Sequence, residues 1–398
     1  MKILRIIARL NVGGPARHVV WLTEALNDDE FTTTLIAGTV PDGEEDMSYF
    51  AERHNVSPVY IEEMSRELSA KDIVSLYKIY RVIKAEKPDI IHTHTAKAGT
   101  VGRLAAFLYR WMTWKKVRVV HTFHGHVFHS YYGAAKTKLF ISIEKMLARF
   151  ATDKIITITQ QQHREIHEQV GVGRKEQFEV IPLGIDLSAF AGADAKRNTF
   201  RNEIGAADEE ILIGFVGRLT EIKNIPLLLK AAQIYLADPD APKARFVIVG
   251  DGHLRAELES NASGLGISDD VLFAGNRVDA DVIYAGLDVV ALTSLNEGTP
   301  LSLIEAMASG RAVMSTAVGG VVDLLGGVKE DIDGFSVCER GIAVPSEAAD
   351  EFAKGLIYLA KNEKLRLGLG ETGRDFVVAN YGKERLIEDI KALYRRLS

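Results

Sequence analysis

The chain has 398 residues, of which 47% are hydrophobic and 26% are charged, a balance typical of a soluble globular protein rather than a disordered one. Its length favours two domains of ordinary size over one unusually large domain. Residues 1–185 carry a net charge of +4 and the remainder −10, and an acidic second half without a basic stripe argues against nucleic acid as a partner.

Strands and helices alternate through the first half of the chain. The turn at residues 11–15 leads from the first strand into a helix whose apolar residues recur at helical spacing. This alternation predicts an α/β fold with a doubly wound parallel sheet, which forms an N-terminal Rossmann-like domain over residues 1–185. Its strands are expected at Lys2–Arg9, Thr33–Ala37, Asp89–Thr93, Val117–Thr122 and Lys154–Thr159.

A second alternation of the same kind follows the segment Ile181–Asp186 and predicts a second Rossmann-like domain over residues 186–380. Ligands of such sheets bind at the carboxyl ends of the strands, so we expect the two domains to face each other across a cleft. Residues 381–398 predict one final helix. The strands of the second domain are expected at Ile211–Gly217, Arg245–Gly250, Val271–Ala274, Asp288–Leu292 and Ala312–Ser315.

Two loops that follow strands carry residues suited to phosphate. Gly13 and Gly14, after the first strand, lack the full G-x-G-x-x-G spacing, but they let backbone amides approach a phosphate without a Cβ in the way. A tight turn is the alternative. In the second domain, Arg218 and Lys223 lie on a loop and at the start of a helix, where fixed cations can stabilise the charge on a leaving diphosphate. An exposed surface pair is the alternative there.

The most specific stretch is Asn296–Gly310, which contains EGTPLSLIEAMASG. It predicts a loop and a short helix, with Thr299 as N-cap, Pro300 in the first helical position and Gly310 in the left-handed position after the last turn. The N-terminus of such a helix attracts anions. Glu297 and Glu305 can accept hydrogen bonds from sugar hydroxyls, so the stretch favours a sugar diphosphate as ligand.

This stretch closely resembles the donor-site motif of retaining glycosyltransferase family 4 (glycosyl transferases group 1) of the GT-B superfamily. The resemblance implies that Glu297 contacts hydroxyls of the transferred sugar and that Glu305 binds the nucleotide ribose. It also implies that the last helix, residues 381–398, crosses back onto the N-terminal domain, with packing on its own half as the alternative. Four residues would lie near the diphosphate and sugar, namely Gly298, Thr299, Pro300 and Leu301.

The same resemblance covers the other loops. Gly13 and Gly14 match the family's glycine-rich loop, which touches the donor diphosphate. Arg218 and Lys223 match the cations that stabilise its departure. The segment Gly275–Val278, with Arg277 and Val278, would pass the nucleotide base and recognise it largely by backbone, whereas the longer stretch Val321–Gly334 departs from the family pattern and receives no ligand contacts.

Six of the eleven histidines fall between His92 and His129, a clustering that suggests a metal site. No acidic companion ligands lie nearby in the sequence, and the segment resembles the family's T-x-H motif instead. That resemblance implies that His124 contacts the donor sugar and that its carbonyl faces the acceptor. His126 and His129 either shape the acceptor pocket or are structural, and His92 and His94 either pack at a strand end or contact the acceptor.

Two D-x-D triplets, Asp238–Asp240 and Asp279–Asp281, match a metal-binding motif of another glycosyltransferase fold. The first lies in a proline-containing loop after a helix, and the second is expected to cap the helix Asp281–Ala285. We therefore predict no metal and no cofactor.

Residues 97–154 hold eleven basic side chains and two acidic ones, with aromatic residues beside the cations. This mixture predicts reversible binding to an anionic membrane surface. The alternatives are a buried helix face formed by Leu104, Phe107, Leu108 and Trp111, or an acceptor-binding face. Since no apolar run approaches the roughly 20 residues that span a bilayer, we expect a cytoplasmic protein, peripheral on the inner membrane face.

Taken with the resemblance, these features predict a metal-independent, retaining glycosyltransferase of the hexosyltransferase type. It would move a sugar from a nucleotide-sugar donor, a UDP-sugar, to a saccharide or lipid-linked acceptor in the synthesis of cell-surface polysaccharide or glycolipid. Two alternatives stay open: a nucleotide-sugar epimerase on the same fold, and a non-catalytic nucleotide-sugar-binding partner subunit. The donor sugar, the acceptor, the linkage and the oligomeric state are not specified by the sequence.

Overall fold

The structure, a computed structural model, describes residues 1–11, 13–41, 46–64, 71–124 and 134–398, without the side chains of 134–136. The chain forms two compact units. Unit 1 comprises Met1–Ile185 together with Lys383–Ser398, and unit 2 comprises Asp186–Gly382. The chain therefore passes from unit 1 to unit 2 and back again.

Unit 1 contains a seven-stranded sheet in the order β3-β2-β1-β4-β5-β6-β7, and all of its strand pairs are parallel. The five predicted strands are confirmed with small shifts at their ends. The two that the sequence does not reveal, β3 and β7, have only two and three residues, too few to show a periodicity. The elements are β1 (Lys2–Ile7), α1 (Gly14–Ala25), β2 (Thr32–Ala37), α2 (Ser48–Arg53), β3 (Val59–Tyr60), α3 (Lys71–Glu86), β4 (Ile90–His94), α4 (Ala96–Thr113), β5 (Arg118–Phe123), α5 (Ala134–Ala151), β6 (Lys154–Thr157), α6 (Gln160–His163) and β7 (Phe178–Val180).

Unit 2 contains an eight-stranded sheet in the order β10-β9-β8-β11-β12-β15-β14-β13. Its core is parallel, and an antiparallel hairpin closes one edge. The elements are α7 (Arg197–Glu203), β8 (Ile211–Val216), α8 (Ile225–Ala237), β9 (Ala244–Val249), α9 (Arg255–Gly264), β10 (Val271–Gly275), α10 (Ala280–Gly286), β11 (Val289–Leu292), α11 (Leu301–Ala308), β12 (Ala312–Thr316), α12 (Val321–Leu325), β13 (Val328–Ile332), β14 (Phe335–Cys338), β15 (Ile342–Val344), α13 (Ala349–Lys361) and α14 (Glu363–Tyr381).

The stretch 321–334, which is unusual in the sequence, is thus α12 and the first strand of the edge hairpin. β13 is largely exposed, and its pairing with β14 is antiparallel. Two parallel α/β sheets, each with helices, confirm the predicted fold class.

The final helix, α15 (Lys383–Leu397), belongs to unit 1. Its apolar side shares one core with β1, β4, β5 and α1, through Leu386, Ile390, Leu393 and Tyr394. Gly184 permits this approach, because a Cβ there would lie 2.5 Å from Cβ of Leu386. The predicted return of the last helix to the first half is therefore confirmed. Within the described ranges, none of the helices combines the length and apolarity that crossing a bilayer requires.

Candidate active site

In unit 2, the loops after two neighbouring strands are bound directly to each other. β8 and β11 are parallel neighbours, so their carboxyl ends lie at the same edge of the sheet. Nζ of Lys223, in the loop after β8, forms an ion pair with Oε1 of Glu297, in the loop after β11. Oγ of Ser294 donates a 2.6 Å hydrogen bond to the same carboxylate oxygen. Two predicted site residues that are 74 positions apart are therefore brought into contact.

Gly319 and Gly320 hold the Glu297 loop in place. The backbone N–H of Gly320 donates to the carbonyl oxygen of Glu297 at 3.0 Å. Gly319 has a φ of +53°, and a Cβ at this position would lie 1.8 Å from the same carbonyl oxygen. A side chain at Gly319 is thus excluded by both strain and space. The glycine pair therefore positions Glu297.

Gly250 plays the corresponding part for the Arg218 loop. Its φ is +129°, and a Cβ would lie 1.9 Å from the carbonyl oxygen of Gly217. Gly252 also packs closely against this loop, since a Cβ at this position would lie 2.3 Å from the carbonyl oxygen of Leu219. The turn after β9 therefore supports the loop that presents Arg218, whose side chain is exposed.

The helix of the donor-site motif begins later than predicted. α11 starts at Leu301, and Pro300 precedes it with extended backbone, at a ψ of 107°. The prediction of Thr299 as N-cap is wrong, because the proline occupies the cap position and offers no side-chain oxygen. The left-handed conformation of Gly310 is confirmed, with a φ of +69°. Gly298, Thr299 and Pro300 thus form the approach to the helix N-terminus.

Glu305 lies half-buried in the second turn of α11, beside Tyr284 of α10. Burial of the phenol, together with the neighbouring Glu305 carboxylate, raises the pKa of Tyr284 well above its ordinary value. Tyr284 therefore remains neutral, with a hydroxyl beside the carboxylate that the resemblance assigns to the ribose.

Arg277 and Val278 lie in the loop between β10 and α10. The Arg277 guanidinium is bound to the carboxylates of Glu203 and Asp279, and both interactions raise its pKa. Val278 is fully exposed. Since the Arg277 guanidinium is already paired, this loop offers a ligand its backbone and the exposed Val278 side chain.

Both D-x-D triplets are held in local structure. The second was expected to cap a helix starting at Asp281, but α10 begins at Ala280, and the Asp279 carboxylate binds Arg277 instead of a helix N–H. In the first triplet, the Asp238 carboxylate accepts a hydrogen bond from the backbone of Asp240 at 2.8 Å. The carboxylates of Asp279 and Asp238 are therefore engaged in local contacts.

In unit 1, Gly13 immediately precedes α1, which begins at Gly14. The Gly13 backbone is extended, with a φ of 160°, and a Cβ would meet only Cδ of Pro15, at 3.7 Å. The turn itself therefore does not require glycine at this position. The approach of a ligand phosphate to this loop stays a prediction.

His124 follows β5 and belongs to a cluster of buried imidazoles. Its Nε2 atom lies 2.9 Å from Nδ1 of His94, at the end of β4. His18, on α1, packs edge-on against both rings, with centroids 4.9 Å from His124 and 5.6 Å from His94. Sequence reasoning missed His18, since only the fold brings α1 beside the ends of β4 and β5. His126 and His129 lie outside the described residues.

A metal ion is a possible occupant of this cluster on distance alone. Within the described part of the chain, His18, His94 and His124 form the one group of potential ligands whose atoms lie within 4.8 Å of one another. A divalent cation is disfavoured there, because it would be repelled by the positive charge of the completely buried Arg5 guanidinium. That charge already contributes to the lowered pKa of His18 and of His94. Burial lowers the pKa of all three imidazoles, to about 4 for His124.

The basic stretch of residues 97–154 divides into buried and exposed cations. Lys97 forms an ion pair with Asp72 at 2.6 Å, and Arg103 is completely buried against Glu144 at 2.7 Å. Arg110 and Arg118 pair with Asp153. These four cations are therefore paired within unit 1, and the predicted binding to an anionic surface stays a prediction that depends on the exposed ones. Among the side chains that the structure describes in this range, the exposed cations are Lys115, Lys116, Arg118, Lys138, Lys145 and Arg149.

The apolar residues of this stretch are more exposed than a buried helix face allows. α4 buries Val101, Ala105 and Tyr109, whereas Trp111 is 68% exposed and Trp114 is 90% exposed. The alternative of a buried face that includes Phe107 and Trp111 is wrong. On α5, a second set of exposed apolar side chains recurs at helical spacing, namely Leu139, Met146 and Phe150.

Two family models match consecutive parts of the chain: Glycosyltransferase Family 4 over residues 12–189, and Glycosyl transferases group 1 over residues 196–376. A UDP-Gal:alpha-D-GlcNAc-diphosphoundecaprenol alpha-1,3-galactosyltransferase from Escherichia coli is 30% identical over 93% of this chain and 90% of that protein. An N-acetyl-alpha-D-glucosaminyl L-malate synthase from Bacillus anthracis is 24% identical over 81% and 78%. The crystal structure of Anabaena Alr3699/HepE in complex with UDP has a TM-score of 0.80 and 20% identity, covering 100% of both chains.

Proposed function

Because the chain belongs to glycosyltransferase family 4, we propose that this glycosyltransferase moves a sugar from a nucleotide-sugar donor to a lipid-linked saccharide acceptor. The proposed transfer retains the anomeric configuration and uses no metal ion. One observation carries the proposal: the Lys223–Glu297 contact, which joins a cation and a hydroxyl acceptor at the carboxyl ends of two neighbouring strands.

In the proposed reaction, the bond between the sugar and the diphosphate breaks, and negative charge develops on the departing oxygen. Arg218 and Lys223 stabilise that charge, which is the role that a metal ion has in other transferases. Glu297 accepts hydrogen bonds from sugar hydroxyls and is not the nucleophile, since Lys223 and Ser294 already hold one carboxylate oxygen. The leaving diphosphate assists removal of the acceptor proton on the same face of the sugar, as in the family's accepted mechanism.

The donor and the acceptor are proposed from relatives. The Escherichia coli protein, by its name, uses UDP-galactose and a diphosphoundecaprenol-linked acceptor. The Anabaena protein was crystallised with UDP. We therefore propose a UDP-hexose as donor and a polyprenyl-diphosphate-linked sugar as acceptor, in the synthesis of a cell-surface polysaccharide or glycolipid.

The test is incubation of the full chain with individual UDP-sugars, with and without a polyprenyl-diphosphate-linked acceptor, in the presence and absence of EDTA. We expect a new α-linked glycoside only when the acceptor is present, and we expect EDTA to leave the rate unchanged. Conversion of the donor to its epimer without acceptor would assign the chain as an epimerase. Saturable binding without any reaction would assign a sensor or partner subunit.

The acceptor proposed here resides in a membrane, and α4 and α5 carry the groups that an anionic bilayer attracts. Exposed aromatic side chains at the end of α4 adjoin Lys115 and Lys116, a combination typical of a headgroup boundary. Each exposed cation near an anionic surface contributes about 1 kcal/mol. We therefore propose peripheral, reversible binding of this surface to the inner membrane face.

Sedimentation with vesicles tests this surface. We expect binding to vesicles that contain phosphatidylglycerol, release by salt, and weaker binding after Lys115→Glu with Lys116→Glu. Lys230→Glu in unit 2 is the matched control, since Lys230 is exposed on α8 and adjoins no apolar set. Equal partition onto neutral and anionic vesicles would reject the proposal.

A further inference from the structure

The imidazoles of unit 1 form one connected chain that ends on the C-terminal helix. Nδ1 of His92 lies 2.6 Å from the hydroxyl of Tyr394, and its Nε2 lies 2.7 Å from Oγ1 of Thr122. The His92 ring lies against the His94 ring, with centroids 4.2 Å apart and planes inclined by 33°. His94 in turn hydrogen-bonds to His124. Tyr394 of α15 therefore fixes the His92 ring, and the His92 ring supports His94, which is the hydrogen-bond partner of His124.

The rings of His94 and His124 are both neutral, because burial lowers the pKa of each. A neutral imidazole carries one proton, so only one of the two rings can donate in the bond between Nδ1 of His94 and Nε2 of His124. If His94 donates, His124 carries its proton on Nδ1. If His124 donates, its Nδ1 atom carries a lone pair and can only accept a hydrogen bond. The direction of this hydrogen bond therefore decides whether Nδ1 of His124 donates a hydrogen bond to a substrate or accepts one.

The charge of Arg5 favours one of these directions. Arg5 is completely buried on β1, and none of its guanidinium nitrogens has an acceptor among the described residues. Its neighbour in the sheet register is His92 on β4, so His94 is one strand away, whereas His124 follows β5, two strands away. In agreement with this order, the charge of Arg5 contributes to the lowered pKa of His94, whereas burial is the cause at His124. A cation repels the positive ends of N–H dipoles, so the protons are favoured on the sides of the rings that point away from Arg5.

We propose that His94 is a positioning residue, which donates its Nδ1–H to Nε2 of His124 and so leaves His124 with an Nδ1–H for an oxygen atom of the bound sugar. Nδ1 of His124 is buried and has no partner among the described residues. This inference rests on the proposed function only in its choice of a sugar as the acceptor of that hydrogen bond. The protonation pattern itself belongs to the free protein.

The decisive measurement is the nitrogen–proton correlation spectrum of the full chain labelled with ¹⁵N-histidine, recorded without substrate. His94→Asn and His124→Asn spectra assign the two rings. We expect both rings to carry their proton on Nδ1. A proton on Nε2 of His124 would overturn the proposal, and so would a metal ion found in stoichiometric amount on the purified protein, because a ligated nitrogen cannot make this bond.

Activity provides a second readout. His94→Asn places an amide nitrogen where Nδ1 lies, whereas His94→Gln extends the amide toward the position of Nε2. We expect His94→Gln to lower kcat by about 10-fold, the scale seen when a hydrogen-bonding support of an active group is lost, and His94→Asn to keep most of it. Loss of equal size in both would reduce His94 to a packing role and reject the proposal. His54→Asn is the control, because His54 contacts Glu24 outside the cluster.

The two readouts separate this inference from the proposed function. If the wild-type chain transfers no sugar, the spectrum still reports the tautomers of His94 and His124. If the chain transfers sugar but His124 carries its proton on Nε2, the function stands and the positioning role fails.

Discussion

His124 in unit 1 and Lys223 in unit 2 are both proposed to contact the substrate, but they are held by opposite kinds of interaction. His124 is neutral, because burial lowers its pKa, and it is hydrogen-bonded to another neutral ring. Lys223 is bound to the carboxylate of Glu297, and its side chain is 20% exposed. A hydrogen bond between neutral rings fixes direction, whereas an ion pair supplies charge that a diphosphate can share. We therefore propose that His124 orients the substrate and that Lys223 stabilises the transition state.

The largest effect should come from removing the charge in unit 2. We expect Lys223→Ala to lower kcat by about 10² or more, because a preorganised cation at the leaving group acts mainly in the transition state. Lys230→Ala is the matched control, since Lys230 is an exposed lysine on α8. Steady-state kinetics with a UDP-sugar and acceptor would measure the difference. Equal turnover of the two variants would show that unit 2 does not supply the charge.

A smaller but still large loss should follow from moving Glu297 without changing it. Gly319→Ala would place a methyl group 1.8 Å from the carbonyl oxygen of Glu297, so the loop must shift. We expect roughly a 10-fold loss of kcat/KM, in line with the sensitivity of reaction geometry to displacements of about 1 Å. Gly205→Ala is the control for backbone strain, because Gly205 has a φ of +62° but no atom within 4 Å of the added carbon. Similar losses in both variants would point to general destabilisation instead.

Mild acid should lower the stability of unit 1 before it lowers that of unit 2. Burial depresses the pKa of His124 to about 4, whereas an unfolded histidine titrates near 6.5, so the unfolded chain binds more protons below that pH. Stability is therefore lost as the pH falls from about 6.5 toward 4, by up to about 1.4 kcal/mol per pH unit for each such ring. The other buried rings with a lowered pKa, and therefore the same sign, are His18, His92, His94 and His121.

Unit 2 should lose stability only at lower pH. In unit 2, ion pairs with Arg277 lower the pKa of the Glu203 and Asp279 carboxylates, and this stabilisation is lost when the pH falls below about 4.5. Hydrogen exchange followed by peptide mapping should therefore show weaker protection of unit 1, and not of unit 2, between about pH 6.5 and pH 4.5. Earlier loss in unit 2 would contradict the assigned protonation states.

The smallest kinetic effect is expected at Glu305. A ribose contact is made equally in the ground state and the transition state, so Glu305→Ala should raise KM for the donor and leave kcat nearly unchanged. Tyr284→Phe is a useful companion, because it removes the hydroxyl beside the carboxylate and keeps the ring. A fall in kcat with unchanged KM would place Glu305 with the transition-state groups instead.

The same contrast explains what the sequence reveals. The residues of unit 2 lie in two continuous motifs, so Arg218, Lys223, Glu297 and Glu305 can be recognised from the residues around them. The cluster of unit 1 combines α1, two strand ends and the last helix, and His18 and Tyr394 have no distinguishing neighbours in the sequence. Long-range packing also decides where α11 begins and which cations of residues 97–154 are buried. The ten strands with clear apolar runs, by contrast, were predicted closely, whereas the short strands β3 and β7 and the edge strands β13, β14 and β15 were not.

The return of α15 to unit 1 has a consequence for biosynthesis. Unit 2 is one uninterrupted segment, whereas the core of unit 1 needs four side chains of α15, which are translated after all of unit 2. Domains usually fold in the order in which the ribosome releases them. In this chain we expect unit 2 to complete its fold before unit 1, because the core of unit 1 still lacks α15 when all of unit 2 has been translated. We expect the apolar residues of β1 and α1 that pack against α15 to stay exposed until the ribosome releases that helix.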